Sequence, residues 1–181
     1  MKQLDGTGMK RLHREWRRRT DGRLAVVLEH VEGPFNVGAI LRTAAALRVD
    51  DVWLAGRTPD ADDPKVGKTA LGTQRYLAVH RCDDGPAAVL AARTAGYRVV
   101  AVELADEAVP FHEVSLGEAT ALVLGHEDRG CTPALLDAVD AVAYLPLLGR
   151  VGSLNVASAA AMACYEVRRR AWAPETTPRP L

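Results

Sequence analysis

Short apolar runs alternate with helical patterns along most of the chain, and this alternation constrains the fold more than any other feature. The predicted strands are residues 24–30, 51–56, 76–81, 97–104, 121–125 and 141–146. The predicted helices are residues 36–48, 86–96 and 153–170. Continuous apolar strands between helices favour an α/β fold, with a mostly parallel sheet and helices on both faces. Such sheets bind ligands beyond the carboxyl ends of their strands.

The ends of the chain differ in composition from its middle. Residues 1–21 are predicted to form a basic helical arm, residues 22–170 the α/β domain, and residues 171–181 a flexible, proline-containing tail. Lys+Arg and Asp+Glu both number 23, so only the distribution of charge is informative. The candidate polyanion-binding residues of the arm are Lys10, Arg11, Arg14, Arg17, Arg18 and Arg19. A basic arm can bind phosphates, but a solvated terminal helix would carry the same charges.

Several classes of protein are disfavoured by what the sequence lacks. No apolar run is long enough to cross a bilayer, and the start of the chain does not resemble a secretory signal. Three distant cysteines indicate neither a disulfide framework nor a metal site. We therefore expect a cytoplasmic protein without a metal.

Gly67, Lys68 and Thr69 resemble the end of a phosphate-binding P-loop, but Asp62 stands where its first glycine belongs. One rival hypothesis is a nucleotide hydrolase that uses these residues. Failure of the protein to bind ATP would rule it out.

Three stretches each carry polar residues beside a predicted strand or helix. In residues 32–47, Asn36 is predicted to cap a helix that also carries Arg42. After the strand at 121–125, Gly125 would let a ligand approach the backbone, and Glu127 would meet a cation or an N–H donor. In residues 144–162, Ser153 is predicted to cap the last helix. Asn155 would then lie in the first turn, where its poor helix propensity suggests a pocket residue.

Taken together, the three stretches resemble the TrmH (SpoU) branch of the SPOUT RNA methyltransferases. The family motifs are matched by Asn36-x-Gly38-x-x-x-Arg42, by Gly125-x-Glu127-x-x-Gly130, and by Leu145-Pro146-Leu147-x-Gly149 followed by Ser153-Leu154-Asn155-Val156-Ala157. The resemblance covers residues 22–170. It implies a homodimer whose C-terminal part is threaded into a trefoil knot, an exception to the usual rules of topology.

The resemblance also implies a cofactor and a site. S-adenosylmethionine would bind in the knot, at Glu103, Gly125, Gly130, Leu145, Leu147, Ser153 and Leu154. A ribose 2′-oxygen would attack the methyl group of this cofactor, and the catalytic residues would be Arg42, Asn36, Glu127, Ser153 and Asn155. Arg42 would act either as a base or as a stabiliser of the developing alkoxide, since a guanidinium rarely loses its proton.

The substrate is inferred from the arm. Family members that methylate the D-loop guanosine-18 of tRNA carry basic helical extensions, so tRNA is the expected partner. The alternatives are a tRNA wobble nucleotide, ribosomal RNA, or a catalytically inactive RNA-binding protein with the same fold.

Overall fold

The computed structural model describes residues 3–172 of the chain. The strands are β1 (Arg23–Glu29), β2 (Asp51–Ala55), β3 (Ala78–Cys82), β4 (Arg98–Val102), β5 (Val109–Pro110), β6 (Ala119–Leu124) and β7 (Ala141–Tyr144). The helices are α1 (Gly6–Arg18), α2 (Pro34–Ala46), α3 (Pro64–Ala70), α4 (Gly85–Thr94), α5 (Pro133–Leu136) and α6 (Val156–Trp172), with a 3₁₀ helix at Thr73–Tyr76.

The strands form one sheet in the order β3-β2-β1-β6-β4-β7-β5, and every neighbouring pair is parallel. One buried cluster lies under α2, α3 and α6, and a second lies under α4 and α5 on the other face. The predicted α/β fold with helices on both faces is thus confirmed. Because the strands are parallel, all their carboxyl ends lie at one edge of the sheet, which we call the carboxyl edge.

The beginning of α6 differs from the prediction. The helix begins at Val156, and Asn155 is its cap, because Asn155 Oδ1 accepts hydrogen bonds from the backbone N–H groups of Ala157 (2.9 Å) and Ser158 (3.2 Å). The prediction that Ser153 caps this helix was therefore wrong. Asn36 is not a cap either, since α2 begins earlier, at Pro34, and Asn36 lies within its first turn. Proline is favoured at a first helical position, where no N–H partner is needed.

The basic arm contains α1, which lies at the amino edge of the sheet, opposite the carboxyl edge. The rings of Trp16 and Trp172 are 5.1 Å apart, and the Arg48 guanidinium donates to the backbone carbonyls of Arg17 and Thr20. Trp172 ends α6 and Arg48 follows α2, and both helices begin at the carboxyl edge. Helix α2 has 13 residues and is therefore about 20 Å long. Because α1 contacts the far end of α2, it lies about that distance from the carboxyl edge.

The described part of the last helix reaches further than predicted. Helix α6 is described as far as Trp172, whereas the predicted helix stops at residue 170. Residues 173–181 of that tail lie outside the described residues. Within residues 3–172, no helix is long and apolar enough to cross a membrane.

Candidate active site

An open cavity of about 700 Å³ lies at the carboxyl edge, where β4, β6 and β7 end and the segment before α6 passes over them. Its lining contains every residue that the sequence analysis assigned to the cofactor, namely Glu103, Gly125, Gly130, Leu145, Leu147, Ser153 and Leu154. Backbone from three loops and several leucine side chains form its walls. The acidic residues of the lining are Glu103, Glu127 and Asp128.

The loop after β6 closes on itself at the cavity wall. His126 and Gly130 exchange two backbone hydrogen bonds of 3.0 and 2.9 Å. A Cβ atom on Gly125 would lie 2.3 Å from the backbone nitrogen of Cys131, and one on Gly130 would lie 2.3 Å from Glu103 Oε2. Gly125 is required by the close packing of this loop, and Gly130 by its left-handed backbone conformation, with φ of +68°. The expected approach of a ligand to Gly125 stays a prediction.

Two carboxylates, from the ends of the two strands that flank β6, hold the same loop. Glu103 Oε2 accepts from the backbone N–H of Cys131 at 2.9 Å. Glu29, only 1% exposed, accepts from both the backbone N–H (2.8 Å) and the hydroxyl (2.6 Å) of Thr132. The sequence analysis missed Glu29. A charged residue at the end of the otherwise apolar strand LAVVLE was the signal that could have revealed it.

A chain of hydrogen bonds joins three of the predicted catalytic residues. The side-chain amide of Asn36 donates to Glu127 Oε1 at 2.9 Å, and the side-chain amide of Asn155 donates to Asn36 Oδ1 at 3.0 Å. Glu127 also accepts from the backbone N–H groups of Gly33 (2.9 Å) and Glu32 (3.2 Å). The first turn of α2, the loop after β6 and the cap of α6 are thereby fixed to one another.

The hydrogen bonds to Glu127 also determine its charge. Burial by itself raises the pKa of this carboxyl, but the hydrogen bonds from Asn36 and from backbone N–H groups outweigh burial and lower the pKa below its ordinary value. Glu127 is therefore a carboxylate at neutral pH, and it accepts hydrogen bonds only. This fixes Asn36 with its nitrogen towards Glu127 and its oxygen towards Asn155.

The other two predicted catalytic residues lie apart from this chain of hydrogen bonds. Ser153 is exposed and lines the cavity. Arg42 is exposed on α2 and does not belong to the cavity lining. Phe35, which is 54% exposed, lies seven residues before Arg42 and thus on the same face of α2. The structure therefore joins Asn36, Glu127 and Asn155 directly, places Ser153 with Glu127 among the residues that line the cavity, and leaves Arg42 outside that lining. Within residues 3–172, no group of His, Cys, Asp or Glu side chains is arranged to hold a metal ion.

The profile of the SpoU rRNA Methylase family matches residues 23–165. Among characterised proteins, the 23S rRNA (guanosine(2553)-2'-O)-methyltransferase RlmP of Bacillus subtilis is 36% identical over 146 residues, which are 81% of this chain and 58% of that protein. The tRNA (guanosine(18)-2'-O)-methyltransferase of Thermus thermophilus is 35% identical over 155 residues, which are 84% of this chain and 78% of that protein.

Solved structures show the same fold. The AdoMet-bound rRNA methyltransferase from Sinorhizobium meliloti superimposes with a TM-score of 0.76 and 29% sequence identity, covering 83% of this chain and 57% of that one. The chain spans 56–58% of the length of three of the curated relatives it matches.

Proposed function

Because this chain belongs to the SpoU rRNA methylase family, we propose that it is an S-adenosylmethionine-dependent RNA 2′-O-ribose methyltransferase. The observation that carries the proposal is the chain of hydrogen bonds from Glu127 through Asn36 to Asn155. It fixes three motif residues at the edge of the cavity that contains the predicted cofactor-binding residues.

The cavity suits S-adenosylmethionine in size and chemistry. Apolar walls at Leu145 and Leu154 could cover the adenine, and loop backbone around Gly125 and Gly130 offers hydrogen-bonding groups. The cofactor would supply an activated methyl group on a positively charged sulfur, beside the carboxylates of the cavity. The S. meliloti enzyme, described as AdoMet bound, supports this assignment. The C-terminal trefoil knot remains a prediction.

In this proposal the residues of the chain position the ribose and assist loss of its proton. The 2′-oxygen would bond to the methyl carbon while the carbon–sulfur bond breaks and its electron pair stays on sulfur, and the hydroxyl proton would pass to Arg42 if this residue is the base, or otherwise to water. Asn36 and Asn155 are held in one orientation, so their amides would orient the ribose without reorganising. Arg42 keeps its proposed role as the base or as the group that stabilises the developing negative charge.

We further propose that the enzyme is a homodimer, joined through the exposed faces of α2 and α6. Met162 and Tyr165 on α6 and Phe35 on α2 are each about half exposed. The small residues Ala160 and Ala163 of α6 are buried within the chain. A partner would therefore meet the larger side chains of Met162, Tyr165 and Phe35. Arg42 lies on the same face of α2 as Phe35, and it would therefore lie at this interface, where sites of this family are expected.

The preferred substrate is a guanosine in the D-loop of tRNA. The similarity to the T. thermophilus tRNA guanosine-18 enzyme and the exposed basic face of α1 support it. A ribosomal RNA guanosine is the second candidate, because the RlmP protein is similar to the same degree. Either substrate would place the enzyme in the cytoplasm.

Calorimetric titration with S-adenosylmethionine tests the proposal against its main rival. An enzyme must bind the cofactor, whereas failure to bind it would favour an RNA-binding protein that has lost catalysis. Primer extension on RNA treated with the protein would then map the methylated nucleotide, and would separate the D-loop, the wobble position and ribosomal RNA.

A further inference from the structure

Three charged side chains meet at the carboxyl edge beside the cavity, and none of them has a role in the proposed function. Glu32 precedes α2, Arg57 follows β2, and Arg129 lies in the loop after β6. Arg57 Nε lies 2.6 Å and Arg129 Nη2 lies 3.3 Å from the same atom, Glu32 Oε1. Since β2, β1 and β6 are neighbours in the sheet, the fold itself brings these residues together.

This cluster carries an excess of positive charge in contact with solvent. The side chains of Arg57, Arg129 and Glu32 are 60, 62 and 42% exposed. Two guanidinium groups share one carboxylate oxygen, so these three side chains together carry one net positive charge. Exposed ion pairs are worth at most about 1 kcal/mol each. A stronger anionic ligand could therefore replace Glu32 at little cost.

The neighbouring charged groups do not occupy this site. Arg81 already donates to the backbone carbonyls of Gly56 and Thr58 and lies 3.5 Å from Asp60. His126 Nε2 lies 3.9 Å from Glu32 Oε1, while its Nδ1 accepts from the backbone N–H groups of the loop after β6. Asp128 is exposed in the same loop. Arg57 and Arg129 are therefore the cations that an incoming anion would meet.

The cluster is joined directly to the candidate active site. The backbone N–H of Glu32 donates to Glu127 Oε2 at 3.2 Å, and Arg129 lines the cavity. The basic face of α1, in contrast, lies at the opposite edge of the sheet. An RNA strand whose ribose entered the cavity would thus bring its own phosphates to Arg57 and Arg129 rather than to the arm of the same protomer.

We propose that Arg57 and Arg129 form a phosphate-binding site for the RNA strand that enters the cavity, and that Glu32 occupies this site in the free protein. A phosphodiester has two free oxygens, one for each guanidinium, whereas Glu32 offers a single oxygen to both. Binding of RNA exchanges the carboxylate for a phosphate. This inference rests on the proposed function, because it takes RNA as the ligand.

Removing the Glu32 carboxylate tests the site, because the loss of this side-chain charge is expected to tighten RNA binding rather than weaken it. Binding of unmodified total tRNA is measured for the full chain, for Glu32→Gln and for Asp137→Asn, over a series of salt concentrations. Asp137 is exposed at the end of α5, on the face of the sheet opposite α2 and α6, so its variant changes net charge equally without touching either the site or the basic arm. We expect Glu32→Gln to bind tRNA several-fold more tightly than Asp137→Asn. Arg57→Ala should bind more weakly and lower the salt slope by about 0.7 to 0.9.

The combined variant Glu32→Gln/Arg57→Ala/Arg129→Ala isolates the mechanism. If Glu32 acts by blocking the arginines, its substitution has no effect once both are removed. The proposal is overturned if Glu32→Gln binds tRNA no more tightly than Asp137→Asn, or if its gain persists without the arginines. Methyl transfer by the unmodified chain is assayed separately. Loss of the proposed function alone would appear as tighter binding by Glu32→Gln with no transfer to any RNA.

Discussion

The side-chain amide of Asn155 donates to the side-chain oxygen of Asn36 at 3.0 Å, and this bond joins the cap of α6 to the first turn of α2. The same Asn155 uses its own oxygen to cap α6. Asn36 in turn donates to Glu127. Two consecutive hydrogen bonds therefore connect the cap of α6, the first turn of α2 and the loop after β6. A helix cap and a candidate catalytic group are thus the same residue.

Replacing Asn155 should therefore affect both stability and activity. In Asn155→Ala, α6 loses its cap, which costs about 1 kcal/mol of unfolding free energy, and Asn36 loses its orientation. We expect methyl transfer to fall far more than this loss of stability explains. Asp84→Ala is the matched control, because Asp84 caps α4 through the backbone N–H of Ala87, away from the cavity. Urea denaturation and transfer assays on both variants check this, and equal activity in the two would contradict it.

Arg42 is expected to act in the reaction and not in cofactor binding, since it lies outside the cavity lining. Arg42→Ala should lower kcat by about a hundredfold or more, in the range seen when one stabilising group is removed from a transition state. The dissociation constant for S-adenosylmethionine should stay unchanged by calorimetry. Arg98→Ala, at the start of β4, controls for loss of an exposed arginine. Unchanged turnover in Arg42→Ala would remove this residue from the mechanism.

The basic face of α1 is expected to bind RNA phosphates at the amino edge of the sheet. Substituting Arg17, Arg18 and Arg19 by alanine should weaken tRNA binding. Each lost phosphate contact should flatten the dependence of log affinity on log salt by about 0.7 to 0.9. Trp16 is left in place to keep α1 packed against Trp172. If affinity and slope both stay the same, these arginines are only solvated surface.

Glu166 gives a prediction about pH. Hydrogen bonds from Arg169 and Arg170 outweigh burial and lower the pKa of this carboxyl to about 2. An unfolded glutamate has a pKa of about 4.3, so the stabilisation is complete above that pH and is lost as the pH falls towards 2. Glu166→Gln should be less stable by about 1 kcal/mol at pH 7, and the difference should vanish near pH 2. Urea denaturation at several pH values measures it, and a difference independent of pH would refute the ion-pair account.

The alternation of apolar runs with helical patterns was sufficient to predict the layers of the fold. The six predicted strands correspond to β1, β2, β3, β4, β6 and β7. The two-residue β5 was missed because it is too short to show a pattern. The strand order, in which β6 lies between β1 and β4, depends on packing between distant segments and could not be read from local periodicity.

The site was predicted in part, and the errors have local causes. Asn36 and Asn155 were identified, but both helix starts were misplaced because Pro34 begins α2 earlier and Asn155, rather than Ser153, caps α6. The contacts between Asn36, Glu127 and Asn155 join residues about 90 to 120 positions apart in sequence. Glu29 was missed because a buried carboxylate needs partners, here Thr132, that only the fold brings to it.

The most direct test of the account is transfer of a labelled methyl group from S-adenosylmethionine to unmodified total tRNA and ribosomal RNA by the purified full chain, followed by digestion to nucleosides. The account predicts label in 2′-O-methylguanosine from tRNA. Label in 2′-O-methylcytidine or 2′-O-methyluridine from tRNA would keep the chemistry and move the target to the wobble position, whereas label from ribosomal RNA alone would favour the second candidate substrate. Cofactor binding without label in any ribose of either RNA would contradict the central claim.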